Sequence, residues 1–112
     1  MIKLEEKYVL HIPSHKYVNG ELIYITTQEH MDELIKRLNR EGYTSFYALR
    51  TDAYYKTRKF DQILITIYTS KNQERKSPDT IFKEWFKQYN HILKQEAFAY
   101  EYNDSLIVEK IE

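Results

Sequence analysis

The chain has 112 residues, with 17 Lys and Arg against 17 Asp and Glu, a formal charge of zero, and no cysteine. That length fits one α+β domain over residues 1–112 with a core that needs no staples. The missing cysteines exclude disulfides, thiolate catalysis and cysteine-type zinc sites, and the balanced charge argues against a protein that coats polyanions.

Aromatic residues make up 15% of the chain and 11 of them are tyrosines, which lifts the apolar content without long aliphatic runs and sets the sequence apart from disordered chains. No stretch approaches eighteen consecutive apolar residues, and Met1 to Lys7 carries neither a signal-peptide core nor a basic amphipathic pattern. The sequence therefore reads as a soluble, untargeted cytoplasmic protein with no membrane partner. Heavy use of Lys, Ile, Asn, Tyr and Glu beside two Gly and two Pro is the bias of AT-rich codons, as in an AT-rich bacterial, phage or plasmid genome.

Residues 6–12 alternate between two faces and stop at Pro13, which predicts a first strand. Asn19-Gly20 lies at the centre of 15–25 and signals a small hairpin. Thr26-Thr27-Gln28-Glu29 offers a capping box, and Met31, Leu34, Ile35 and Leu38 form one apolar stripe, predicting a helix over 27–41 closed by Gly42. Tyr43 to Arg50 and Phe60 to Thr69 alternate as two long antiparallel strands joined by a projecting tip over 51–59. Ser77-Pro78-Asp79 starts a second helix over 78–93, with Ile81, Phe82, Trp85, Tyr89 and Ile92 as its stripe. A closing hairpin turns at Asn103-Asp104.

Without the small hairpins the order is βαββαβ, the split βαβ arrangement of a ferredoxin-like sandwich with two helices on one face of an antiparallel sheet. The first strand, Lys7 to Ile12, is loosely similar to that of RNA-recognition-motif domains. The third lacks the glycine and closely spaced aromatics of their longer motif, so that family is not assigned.

The chemistry-bearing residues are sparse. His11 and His15 flank Pro13 in an extended context, where four residues span about 13 Å, too far for a chelate. His30 and His91 sit beside the apolar stripes of different helices, so neither metal nor organic cofactor is expected. No phosphate-cradling glycine motif is present. Asp61 and Glu101 could meet only if their strands were neighbours. Arg50, Tyr54, Tyr55, Lys56, Arg58 and Lys59 interleave positive charge with aromatics around the projecting tip, a pattern that can track phosphates and stack bases, with Lys71, Arg75 and Lys76 as an extension.

Three functions follow. If Ile63, Ile65 and Ile67 face the helices, then Phe60, Leu64 and Tyr68 line an open apolar sheet face that calls for a partner. The leading expectation is thus a non-enzymatic interaction module, a homodimer or a docking partner of another protein. The alternative is a dimeric α+β barrel whose sheet face binds or transforms a small molecule. The third is a nucleic-acid binder using the basic tip.

Overall fold

The computed structural model describes residues 1–24, 28–55, 57–71 and 74–111, with the backbone alone at 16–18, 22, 24 and 55. Among the described residues seven strands and two helices follow in the order β1 (Glu6–Pro13), β2 (His15–Val18), β3 (Glu21–Tyr24), α1 (Gln28–Arg40), β4 (Tyr47–Tyr55), β5 (Arg58–Thr69), α2 (Pro78–Leu93), β6 (Ala97–Tyr102) and β7 (Ser105–Lys110). A five-stranded antiparallel sheet runs β4-β5-β1-β6-β7, and β2 and β3 form a separate ribbon. The central position of β1 between β5 and β6 is the ferredoxin-like order, extended by β7.

Both helices pack on the sheet face formed by Leu10, Ile12, Ile63, Ile65 and Ile67. Register explains the selection: Leu10 lies opposite Ile65 and Tyr100, and Ile12 opposite Ile63, so one pleat parity across three strands is apolar. From the helices come Leu34 and Leu38 of α1 and Phe82, Trp85, Phe86 and Leu93 of α2, all fully enclosed. The Trp85 indole is 0% exposed and donates its N–H to the His30 carbonyl at 2.8 Å. Ile92, expected in the α2 stripe, is 38% exposed. Phe86 and Leu93, which the sequence places at the widened edge of that stripe, are enclosed instead, and Phe86 stacks with Phe98 of β6 at 5.4 Å.

Helix α1 ends in two interlocked hydrogen bonds, Tyr43 N–H to the Leu38 carbonyl and Gly42 N–H to that of Asn39. Gly42 takes the positive φ of 93° that this closure requires. The cap carries Tyr43 back into the core, where it is buried, so Tyr43 belongs to the connection and β4 begins later than the alternation suggested. β4 and β5 in turn pair as far as Tyr55 opposite Arg58, so the predicted tip over 51–59 is largely strand. Thr26 and Thr27 of the predicted capping box, and Lys56, lie outside the described residues.

Candidate functional site

A cleft opens where the helix-facing side of the sheet runs out beyond the core. Glu6 and Tyr8 of β1 share one face, two residues apart, and Thr69 lies opposite Glu6 in register. The start of α2 supplies Ser77 and Pro78, and Tyr43, Ser70 and Arg75 complete a cavity of about 120 Å³.

The turn after β6 fixes this end of the sheet. Asn103 and Asp104 adopt φ of 46° and 70°, a left-handed pair that closes a two-residue hairpin. Asn103 then locks onto β1: the Lys7 N–H donates to its Oδ1 at 2.8 Å, and its own N–H donates to the Lys7 carbonyl at 2.9 Å. This brings Tyr102 opposite Tyr8, with ring centroids 4.9 Å apart.

Four phenols lie within the electrostatic reach of Glu6 or Asp79. The Tyr8 hydroxyl donates to Glu6 Oε2 at 3.0 Å, and burial together with this bond holds Tyr8 well above the ordinary phenol range. Tyr102 is raised first by its hydrogen bond to Glu6 and then by burial. Burial raises Tyr100, with Asp79 adding to the effect. Tyr43 is also raised by burial, against an opposing pull from Arg75. In each case the charged phenolate is disfavoured; Tyr8 and Tyr102 keep their hydroxyls as donors to Glu6, whereas the Tyr43 hydroxyl donates to the Lys76 carbonyl at 2.9 Å.

Arg75 forms the far wall. Its guanidinium lies 4.0 Å over the Tyr43 ring and donates to the Glu41 carbonyl at 3.3 Å and to Thr69 Oγ1 at 3.1 Å. Arg75 Nε and Asp79 Oδ1 are both buried without a hydrogen-bond partner, a cost that structures tend to retain at functional positions.

The open sheet face is the second place where polar chemistry collects. His11 Nε2 donates to Glu101 Oε2 at 2.7 Å, and the pair sits between Leu64 and Leu49 on one side and Val108 on the other. Glu101 therefore meets His11 rather than Asp61, because β1 separates β5 from β6. Of the residues expected on this face, Phe60 and Leu64 are half-buried and Tyr68 is 45% exposed. Phe60 packs edge-on against His15.

The basic tip is divided by its own pleat. Tyr54 lies opposite Lys59, while Arg58 takes the alternate parity. Lys59 pairs with Asp52 at 3.4 Å, Arg58 donates to the Gly20 carbonyl, and Arg50 is exposed. For Tyr55 only the backbone is described, opposite Arg58. Arg75 and Lys76 do not extend this patch: they lie beyond Thr69, at the other end of a strand about 35 Å long. Lys76 is tied to Glu84 at 3.0 Å.

The tyrosine cleft escaped sequence reasoning because its members come from five separate segments. The one local signal was the i, i+2 repetition in Glu6-Lys7-Tyr8 and Tyr100-Glu101-Tyr102, which places like groups on one face. Among the described residues no group of three His, Asp or Glu is placed to hold a metal ion. No helix among them is long and apolar enough to cross a membrane.

No family model and no curated protein sequence matches the chain. Its fold is similar to that of a phage SAM lyase solved in complex with S-methyl-5'-thioadenosine, with a TM-score of 0.60 at 15% identity, covering 100% of this chain and 96% of that one. The apo state of a phage SAM lyase matches over the same shares, at 0.58 and 16%. These neighbours are enzymes that handle a small molecule. The expectation of a non-enzymatic interaction module is corrected accordingly, since the structures this chain resembles over its full length are those of an enzyme.

Proposed function

We propose that this protein is a small-molecule enzyme acting on an adenosyl sulfonium, with S-adenosylmethionine as the substrate it cleaves. The observation that carries the reading is the likeness of fold to phage SAM lyase over the full length of both chains. The cleft supports it chemically, since a fixed sulfonium charge calls for anionic and aromatic surroundings. Glu6 and Tyr8 provide such surroundings in the cavity lining, with Arg75 on its far wall, and Tyr102 and Asp79 act on Tyr8 from beside it. In the reaction the carbon–sulfur bond to the amino-acid chain breaks and its electron pair stays on sulfur, leaving the neutral thioether S-methyl-5'-thioadenosine. A lyase adds no water, so the four-carbon fragment completes its valence internally.

The test is incubation of the purified protein with S-adenosylmethionine, with the products followed by chromatography and mass spectrometry. Time-dependent release of S-methyl-5'-thioadenosine, with no solvent oxygen entering the companion fragment, supports the reading. Intact substrate after prolonged incubation at micromolar protein would refute it.

A further inference from the structure

We infer that, given this reading, the tyrosine cleft holds the sulfonium end of the substrate alone, and that Glu6 is the residue that distinguishes the charged sulfonium from a neutral thioether. Size is the first ground. A cavity of about 120 Å³ is well below the roughly 300 Å³ at which pockets begin to enclose drug-sized ligands. It accommodates a compact cationic head and excludes a nucleoside, which must extend outside.

Charge is the second ground. Two carboxylates, Glu6 and Asp79, act on the same phenols, against one guanidinium, that of Arg75. The guanidinium also lines the cavity and keeps its charge, since the Glu41 carbonyl, Thr69 and the Tyr43 ring that hold it are neutral, so two carboxylates against one guanidinium leave an excess of one negative charge. Glu6 itself accepts from neutral hydroxyls only, so its negative charge is oriented by Tyr8 and Tyr102 but not neutralised by them.

Geometry is the third ground. Glu6 and Tyr8 line the cavity side by side, with the Tyr102 ring packed behind Tyr8, so a cation entering the cleft meets an anion and an aromatic side chain together, the combination that favours cations released from water. A thioether has no charge to gain from either. Conversion of sulfonium to thioether would therefore remove the attraction that held the substrate, and the cleft would release its product.

Two ligands without a nucleoside isolate this effect: S-methylmethionine, a sulfonium, and methionine, the thioether of the same skeleton. Titration into the intact protein, followed through backbone amide resonances, should show S-methylmethionine shifting Lys7, Asn103 and Ser77 saturably. Methionine and adenosine should bind there at least about tenfold more weakly, a difference of about 1.4 kcal/mol. Glu6→Gln should abolish the preference and Glu6→Asp should retain part of it. Equal shifts from methionine or adenosine in the wild type, or an undiminished preference in Glu6→Gln, would overturn the inference, and the wild-type comparison decides alone if the variant does not fold. Selective sulfonium binding without cleavage of S-adenosylmethionine would defeat the proposed reaction while leaving the cation site standing. Cleavage without sulfonium preference would do the reverse.

Discussion

The Tyr8 hydroxyl donates to the Glu6 carboxylate at 3.0 Å from two residues along the same strand, so a single pleat parity supplies both the proton donor and the anion of the cleft. Because Lys7 between them is locked to Asn103 on both its N–H and its carbonyl, the backbone from which both side chains project is fixed. Tyr8→Phe leaves the ring in place and removes only the donor. We expect a stability loss of about 0.5–1.5 kcal/mol, measured by urea unfolding, together with weaker sulfonium binding as Glu6 loses its orientation. Unchanged binding would show that Tyr102 alone orients the carboxylate.

The raised phenols predict a specific alkaline response. In the folded state Tyr8, Tyr43 and Tyr100 keep their protons above the ordinary value of 10.0, whereas the unfolded chain releases them near it. The folded state thus binds more protons above that pH, and stability must fall as pH rises. The contribution is fully present below about pH 10 and is lost as pH climbs through the folded-state values. Denaturant midpoints measured from pH 8 to 11 should be flat at first and then decline, and Tyr8→Phe should make the decline shallower. A wild-type midpoint that rises above pH 10 would contradict the burial of these hydroxyls.

The fold was legible because its signals are local. The α2 start is written in Ser77-Pro78-Asp79, the closing turn in Asn103-Asp104, and the shared face in Ile63, Ile65 and Ile67. The site was not, because Glu6, Tyr43, Arg75 and Tyr102 become neighbours only after β1 inserts between β5 and β6 and the α1 cap folds Tyr43 back. Alternation also misassigned Tyr43, since an aromatic with period-two neighbours satisfies a strand template whether or not its backbone is paired. The spacing of the histidines could not foresee Glu101, whose contact with His11 is set by strand order.

Gly42 links the α1 cap to the cleft. Its φ of 93° is costly for any other residue, and a Cβ there would lie 2.6 Å from Arg75 Nη1. Gly42→Ala should destabilise the protein by roughly 1–3 kcal/mol from backbone strain and displace the guanidinium from Tyr43. Thermal unfolding and the Tyr43 ring resonances would report the two effects. Adding Arg75→Ala should restore only the steric part, so the double variant remains less stable than Arg75→Ala alone. If the two had equal stability, φ at this position would carry no cost.

The His11–Glu101 pair on the open sheet face is half-exposed, its side chains 21% and 32% accessible. Solvent screening limits such pairs to within about 1 kcal/mol, so Glu101→Gln should scarcely move the unfolding midpoint. A loss above about 2 kcal/mol would mean that the pair is more deeply enclosed in solution, as when another surface covers this face.

Trp85 tests the packing on which all these positions depend. It touches Phe82 at 5.8 Å in a stacked arrangement and Phe86 at 5.4 Å edge-on, and through Phe86 it reaches Phe98 of β6. Its indole N–H also closes the α1–α2 contact at the His30 carbonyl. Trp85→Ala removes the largest buried side chain and its hydrogen bond to that carbonyl, so the cost should fall at about 3–5 kcal/mol. Trp85→Phe keeps most of the volume but not the donor and should cost less, about 1–3 kcal/mol. Because β6 carries Tyr100 and Tyr102, the Ala variant should also loosen the cleft, visible as faster amide exchange at Asn103 and Lys7, while the Phe variant should leave those amides protected. Equal exchange in the two variants would show that the sheet end is held by the Asn103 lock independently of the aromatic core.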